Sequence, residues 1–149
     1  MKKTTMQKYA RLIARKGIYI QKGQEVMINA DLDQPEFVKM LVEECYKAGA
    51  GKVIVEWAYQ PLVKLHYRYR SMKTLSTVEK WEVERMEHRA TTLPAMIHLE
   101  SDDPDGLKGI DQVKLAKSQQ ARYPIIKPFR DRMENRYQWC IAAVPGEAW

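Results

Sequence analysis

The sequence predicts an α/β fold: a three-layer sandwich in which a mainly parallel sheet of about four strands is flanked by helices. Three observations support this prediction. Short apolar runs with strand character alternate along the chain with segments of helical periodicity. The helical segments are long enough to serve as right-handed crossovers between parallel strands. The run 53–55 is apolar at every position, which is typical of a strand covered on both faces.

Length and composition describe one ordinary domain. The chain has 149 residues, of which 45% are hydrophobic, so we expect a single α/β domain over 1–149. The 25 Lys and Arg residues exceed the 19 Asp and Glu residues, but both signs are mixed along the chain, which favours solubility over a dedicated nucleic-acid surface. No apolar run approaches the ~20 residues that cross a bilayer. We expect a cytoplasmic protein without a signal peptide or a membrane partner.

The first half of the chain contains two helices that alternate with strands. Apolar residues at i, i+3, i+4 and i+7 define the face of the first helix, namely Met6, Tyr9, Ala10 and Ile13. Thr4 or Thr5 can cap its start, and we expect Gly17 to end it in the left-handed conformation. A strand over 26–30 follows. Asp33 is expected to cap the second helix by accepting backbone N–H bonds. The apolar residues of this helix predict its buried stripe, namely Phe37, Val38, Leu41, Val42, Cys45 and Ala48.

The second half repeats the alternation. The predicted elements are a helix over 61–70, a polar link over 71–75, a helix over 78–90, a strand over 95–99, a long helical segment from 111 and a strand over 137–144. Ser76 and Glu79 have the spacing of a capping box, and Asp111 is expected to cap the long segment. Pro124 and Pro128 are expected to kink or split that segment, because each lacks an N–H and clashes with the preceding turn.

Polar residues gather at the carboxyl ends of the predicted strands, where open parallel sheets bind their ligands. These residues are Asn29, Asp31, Asp33, Glu56, Trp57, Glu100, Asp102, Asp103, Asp105, Glu147 and Trp149. Such an edge could bind a hard cation or an amine. Asp and Asn also populate turns and helix caps for backbone reasons alone, and we favour this second interpretation.

Histidine and cysteine do not form a recognisable catalytic or metal motif. His66, His88 and His98 lie on three different predicted elements. Glu84 and His88 share a helix face, but no third ligand lies nearby, so a surface pair is the favoured interpretation. We expect His98 to be a packed, hydrogen-bonded imidazole. The two cysteines, Cys45 and Cys140, are too few for a disulfide framework, and we expect buried structural thiols in a reducing compartment.

Two further segments suggest ligands. The glycines of GAGK at 49–52 superficially resemble a phosphate loop, but they follow a helix and precede a strand, which is the wrong order, and helix termination explains Gly49. We therefore reject nucleotide binding there. The segment 64–73 interleaves positive charge with aromatic rings. Single-stranded nucleic acid could stack on Tyr67 or Tyr69, with phosphates on the neighbouring arginines Arg68 and Arg70; a solvated helix face explains the same composition.

Blocks along the whole chain make it similar to the amino-terminal half of the metal-dependent aminopeptidases typified by aminopeptidases T and S, the thermophilic metallo-aminopeptidases. The blocks are KYARLI at 8–13, DQPEFV at 33–38, AGAGKVIV at 48–55, and KPFR at 127–130 followed by WCIAAVPGEAW at 139–149. The last block is the most specific.

The resemblance implies the amino-terminal domain of an enzyme that removes N-terminal amino acids from peptides. Members of that family are about two to three times this long and use two divalent metal ions, with zinc, cobalt, manganese or magnesium expected. Their metal-binding and catalytic residues lie in the carboxy-terminal half, so we expect no catalytic, cofactor-binding or metal-binding residue in this chain. The chain itself is expected to be inactive, to shape the active-site cavity and to contribute subunit contacts.

The resemblance also suggests partners. The implied partners are the catalytic domain of the same polypeptide, a second copy in a homodimer and, through the parent enzyme, a peptide substrate. Trp57, Tyr59, Trp139 and Trp149 are candidates for a surface that the catalytic domain covers, with Trp149 leading into the junction. Two alternatives stay open: a flavodoxin-like module that binds a small ligand above the acidic strand ends, and a basic nucleic-acid-binding domain.

Overall fold

A computed structural model describes residues 1–146 and confirms the α/β class, with an all-parallel sheet of four strands flanked by helices. The strands are β1 (Glu25–Asp31), β2 (Lys52–Ala58), β3 (Ala95–Glu100) and β4 (Trp139–Ala143). The helices are α1 (Lys3–Leu12), α2 (Pro35–Lys47), α3 (Pro61–Tyr69), α4 (Met72–Ser76), α5 (Lys80–Thr92) and α6 (Gln112–Met133). Among the described helices, none is both long and apolar enough to cross a membrane.

The chain divides into two compact units. The sheet unit comprises 1–58, 94–103 and, among the described residues, 137–146; it contains all four strands together with α1 and α2. The helical unit comprises 59–93 and 104–136, and contains α3 to α6.

The sheet has the strand order β2-β1-β3-β4, which the sequence did not predict. The central strand β1 pairs in parallel with both β2 and β3. After β1 the chain crosses to one side of this strand to form β2, and it later forms β3 on the other side. The loops that follow β1 and β3 therefore lead in opposite directions from the carboxyl edge of the sheet. This is the topological switch point, where open α/β sheets usually bind ligands.

One face of the sheet packs against α1 and α2 to form the core of the sheet unit. Val26, Ile28 and Ile97 are completely buried on that face, and Phe37 and Leu41 meet them from α2. The α1 ring of Tyr9 lies 5.5 Å from the Phe37 ring, centroid to centroid. The predicted apolar stripes of the first two helices therefore do form the core.

The ends of α1 differ from the prediction. The N-cap is Lys2 and no side chain caps the helix, so the expected caps Thr4 and Thr5 are wrong; both lie inside α1. Past α1 the chain continues as a π-helical turn over Ile13–Gly17, and Tyr19, not Gly17, adopts the left-handed conformation, with φ 46°. A Cβ on Gly17 would lie 3.1 Å from the Sγ atom of Cys140, a tight contact that a small movement of this side chain can relieve.

The expected cap of α2 is also wrong. Gln34 is the N-cap, its side chain makes no capping bond, and Pro35 occupies the first helical turn. Asp33 does not cap the helix, because its Oδ1 atom accepts a hydrogen bond from Ser101 on the loop after β3. Asp33 thus makes a tertiary hydrogen bond in place of the expected helix cap.

In the helical unit, the predicted polar link contains the short helix α4, which Ser71 caps by accepting from the Thr74 N–H at 3.2 Å. The capping box begins three residues later than predicted. Ser76 ends α4, while Glu79 is the N-cap of α5 and its N–H donates to the Glu82 carboxylate at 2.8 Å.

The long helix α6 begins as predicted and is not split. Its N-cap is Asp111, whose Oδ1 atom accepts from the Lys114 N–H at 3.0 Å. The helix runs without a break through Pro124 and Pro128. Tertiary ion pairs tie it to α5 on both sides of the prolines: Arg122 to Glu82 at 2.7 Å and Arg132 to Glu87 at 2.5 Å. These ties offset part of the cost of the missing proline N–H groups.

Gly51→Ala should destabilise the chain by about 1–3 kcal/mol, the usual cost of overpacking. A Cβ on Gly51 would lie 2.6 Å from the carbonyl oxygen of Gly23. This turn cannot easily move away, because the Gly51 N–H donates to the carbonyl oxygen of Gln24 at 2.9 Å. The control is Gly17→Ala, where the nearest obstacle is a side-chain sulfur that can move. Urea unfolding followed by circular dichroism measures both; an equal or larger loss for Gly17→Ala would contradict this account.

Glu82→Gln should lower stability at pH 7 by about 1 kcal/mol, and the loss should disappear as the pH falls through the lowered pKa of Glu82 in the folded chain. Partial burial raises the pKa of Glu82, but bonds from Arg122 and the Glu79 N–H, with the charges of Arg122 and Arg85, outweigh it and leave the pKa below the ordinary 4.5. A lowered pKa means that the stabilisation is complete above the ordinary pKa and is lost as pH falls through the folded one.

The matched control for this prediction is Glu84→Gln on the same helix, whose carboxylate contacts the exposed Lys80 at 3.8 Å. Urea unfolding at several pH values measures both variants. A loss for Glu82→Gln that does not depend on pH would refute the ion-pair explanation.

Candidate functional site at the carboxyl edge of the sheet

Residues of the chain itself contact one another at the switch point. Ser101, which is 4% exposed, donates from Oγ to the Oδ1 atom of Asp33 at 2.6 Å. Gln34 donates from Nε2 to the carbonyl oxygen of Pro145 at 3.4 Å, which brings in the segment after β4. A Cβ on Gly146 would lie 2.6 Å from the Oδ2 atom of Asp33, so a larger residue there would require the Asp33 side chain to shift. We call these five residues the switch-point clamp.

The clamp has a chemical consequence. The Oδ1 atom of Asp33 accepts from the Ser101 hydroxyl and the Oδ2 atom lies close to Gly146, so both oxygens of this carboxylate are near other groups of the chain. Of the two interpretations of the acidic edge, the clamp favours a structural role for Asp33, although the contact is tertiary and not the expected helix cap.

A polar row crosses the sheet on the face opposite the core. Asn29 is the register partner of Glu56 on β2 and of His98 on β3. The Nδ2 atom of Asn29 lies 3.2 Å from the Nδ1 atom of His98, within hydrogen-bonding distance. His98 is half-buried and hydrogen-bonded, as predicted. This contact restrains the orientation of the imidazole.

The remaining edge residues do not converge on a metal site. Asp31 ends β1 and Glu100 ends β3. Asp102 and Asp103 follow in the sheet unit, whereas Asp105 belongs to the helical unit. Within residues 1–146, no three His, Cys, Asp or Glu side chains are placed to share an ion. Glu147 and Trp149 lie outside the described residues.

The other histidines lie in the helical unit, with His66 on α3 and His88 on α5. The carboxylate of Glu84, the residue expected to pair with His88, contacts Lys80 at 3.8 Å. The structure therefore gives no support to a two-ligand site on α5.

Both thiols are poor nucleophiles. Cys45 is completely buried, and this burial, with the negative charge of Glu44 beside it, raises its pKa to about 12. Cys140 is half-buried, and burial raises its pKa as well. A raised pKa keeps the thiol protonated at neutral pH, and the thiolate is the reactive form. Neither cysteine is in a disulfide.

The GAGK segment is a turn, as predicted, but its two glycines have different roles. Gly49 follows α2 with φ 111°, a conformation that favours glycine. Gly51 permits the close approach to Gly23 described above. Helix termination predicted the first role; no local signal in the sequence could have predicted the second.

The basic, aromatic segment of α3 does not form a stacking platform from both tyrosines. Tyr67 is half-buried, with its hydroxyl 3.5 Å from the Oγ atom of Ser118. Tyr69 is 74% exposed, and the Arg68 guanidinium lies over its ring at 5.6 Å. Arg70 donates to the carbonyl oxygen of Thr74 at 2.7 Å. The one exposed ring is thus already covered by a cation of this chain.

Ser101→Ala should destabilise the chain by about 1 kcal/mol, the usual net contribution of one hydrogen bond, because water can replace the lost donor at the exposed Asp33 carboxylate. The variant removes the buried hydroxyl that donates to the Oδ1 atom of Asp33. The control is Ser118→Ala, since Ser118 is equally buried but bonds to the Leu115 carbonyl one turn earlier in α6. Thermal unfolding measures both, and a smaller loss for Ser101→Ala than for Ser118→Ala would argue against the clamp.

Comparison with known proteins identifies relatives of almost the whole chain. The model of the thermophilic metalloprotease family (M29) matches residues 2–149. Aminopeptidase AmpS of Bacillus subtilis is 31% identical over 142 residues, which is 95% of this chain and 35% of that protein. Aminopeptidase PepS of Streptococcus thermophilus is 28% identical over 148 residues, 99% of this chain and 36% of that protein.

A solved structure agrees with these matches. AmpT from Thermus thermophilus superimposes with a TM-score of 0.85 at 27% identity, over 99% of this chain and 37% of that chain. The chain therefore spans about a third of the length of the relatives that it matches. Since the family model covers all but the first residue, this chain belongs to the thermophilic metalloprotease family M29.

Proposed function

We propose that this chain is the amino-terminal domain of a metal-dependent aminopeptidase that removes N-terminal amino acids from peptides, and that the chain itself is non-catalytic. The observation that carries the proposal is the family match over residues 2–149, joined to the fact that the relatives are about three times longer. The relatives are named aminopeptidases, so peptides are the proposed substrate of the whole enzyme.

The described residues do not fit the metal centre of such an enzyme. A two-metal centre needs several convergent carboxylates and imidazoles around ions ~3.5–4 Å apart. Asp33 is used by the clamp, His98 is hydrogen-bonded to Asn29, and within 1–146 no group of three donors is placed to share an ion. We derive no catalytic step from these residues and propose that the ligands for zinc, cobalt, manganese or magnesium lie elsewhere in the enzyme.

The proposed role of the chain is to support the catalytic part. The clamp determines where the chain passes after β4, because Gln34 and Asp33 contact Pro145 and Gly146 directly. We propose that this sets the direction in which the polypeptide continues towards the catalytic domain, and that the chain helps to enclose the active-site cavity.

Exposed aromatic residues support an association role. In the sheet unit Trp57 and Trp139 are 46% and 58% exposed, and in the helical unit Tyr59 is 51% exposed. Large exposed apolar side chains favour contact with other protein surfaces. We propose that the catalytic domain or a second copy in a homodimer covers them. The two unpaired cysteines agree with the cytoplasmic location that we propose.

The alternative of a flavodoxin-like ligand module is less well supported. Such a module needs an open crevice at the switch point, and there the clamp brings the chain's own segment after β4 against Asp33 and Gln34.

The purified chain should release no p-nitroaniline from leucine p-nitroanilide above a buffer control, with or without added cobalt or zinc, because it lacks a convergent donor set among its described residues. Equilibrium dialysis should likewise find no stoichiometric metal. Hydrolysis that persists through purification and stops with a chelator would refute the non-catalytic role.

A chimera tests the positive half of the proposal. Replacing the aligned segment of Bacillus subtilis AmpS with this chain should yield a folded enzyme that hydrolyses the same substrate. A second chimera carries Ser101→Ala, which weakens the clamp, and a control chimera carries Ser118→Ala. At a temperature where both stay folded, the Ser101→Ala chimera should lose more activity than the control. A folded but inactive first chimera would contradict the proposed role.

A further inference from the structure

The helical unit contains a cavity that the proposed function does not use. Its volume is about 380 Å³, and it opens between α3 and the loop before α6. The lining residues are Lys64, Tyr67, Arg68, Lys108, Gly109, Ile110 and Asp111. Ligand-binding pockets begin at about 300 Å³, so the cavity is large enough for a small organic molecule.

The cavity is strongly cationic. Lys64 and Arg68 lie four residues apart on α3 and so share one helix face, while Lys108 comes from the facing loop. In the described part of the chain, no carboxylate forms an ion pair with any of the three. Three like charges around one cavity repel one another, and an anion between them would relieve that repulsion.

The lining also contains one carboxylate, Asp111, which accepts the Lys114 N–H as the N-cap of α6. With three cations and one anion, the lining has a net charge of +2. The N–H groups of Lys108 and Ile110 are used inside the loop, donating to Asp105 and Leu107 at 3.0 and 3.2 Å. Side-chain cations, and not a backbone nest, are therefore the groups available to an anion. Arg offers a planar fork and Lys a point charge, and both suit phosphate.

The shape of the cavity depends on two features of the lining. Gly109 has φ 87° and open space above its Cα atom, so it forms the turn without narrowing the opening. Tyr67 is half-buried, and its carbonyl oxygen accepts from the Nζ atom of Lys114 at 2.6 Å, which holds this part of α3 to α6. Tyr67 and Ile110 thus provide an apolar wall of stable position beside the cations.

We propose that this cavity binds a small organic phosphate, with the dianionic group between Lys64, Arg68 and Lys108 and the organic body against Tyr67 and Ile110. The cavity exceeds what bare phosphate needs, which is why we assign an organic body. A single-stranded nucleic acid is not favoured, because Tyr67 is packed inside and cannot stack between bases. The lining belongs to the helical unit and shares no residue with the switch-point clamp.

The test is a titration of the ¹⁵N-labelled chain with adenosine 5′-monophosphate, inorganic phosphate and adenosine at constant ionic strength, followed by amide chemical shifts. Saturable shifts at residues 108–111 are expected with the nucleotide, weaker binding with phosphate and none with adenosine. Arg68→Gln and Lys108→Gln should each raise the Kd at least about fivefold, equivalent to roughly 1 kcal/mol. Lys117→Gln, an exposed lysine of α6 outside the lining, is the control and should leave the Kd unchanged.

Each other outcome overturns the proposal. Shifts that stay linear with concentration, or equal binding by the pocket variants and the control, would show only general charge attraction. Equal affinity for phosphate and the nucleotide would show that the organic body contributes nothing to binding. Much tighter binding of an oligothymidylate than of the nucleotide would favour the nucleic-acid alternative. The amide spectrum of each variant shows directly whether it is folded, so a loss of binding is separable from a loss of structure.

Discussion

The parallel pairing of β1 with both β2 and β3 is the constraint on which the rest of the sheet unit depends. It places Val26 and Ile28 in the core between two strands, where their burial is complete. It also makes Asn29 the register neighbour of His98, and it brings the loop that carries Asp33 against the loop that carries Ser101. Both polar contacts are between residues about 70 positions apart in the chain, so they exist only because the sheet has this order.

The switch-point clamp gives Asp33, one of the acidic residues at that edge, a structural contact. In many α/β proteins the same position holds a ligand; here Ser101 binds Asp33, and Gln34 binds Pro145 in the segment after β4. A carboxylate, an amide and a buried hydroxyl thus fasten the chain to itself. This arrangement suits a domain that supports a larger enzyme, in agreement with membership of the M29 family and with relatives about three times longer.

In the helical unit, opposite charges pair between α5 and α6, whereas the positive charges around the cavity exceed the negative ones. Between α5 and α6, Arg122 and Arg132 meet Glu82 and Glu87 and hold a helix that contains two prolines. At the start of α6, the cations around the cavity have no such partners in the described residues. Ion pairs of the first kind stabilise the fold modestly, whereas unpaired cations around a cavity are available to a ligand.

Periodicity and local chemistry in the sequence were sufficient for the α/β class, the four strands, the buried faces of α1 and α2, and the Asp111 cap, because each depends on residues close in the chain. The same patterns misassigned the caps of α1, α2 and α5 and the role of Gly17. At α2, Asp33 accepts from the distant Ser101, whereas the capping box of α5 is local and is made by Glu79 and Glu82. The sequence marked the basic, aromatic segment of α3, but it did not indicate that Lys108 faces this segment across a cavity. Strand order, the clamp and the position of Lys108 were decided by tertiary structure alone, because they arise from contacts between distant residues.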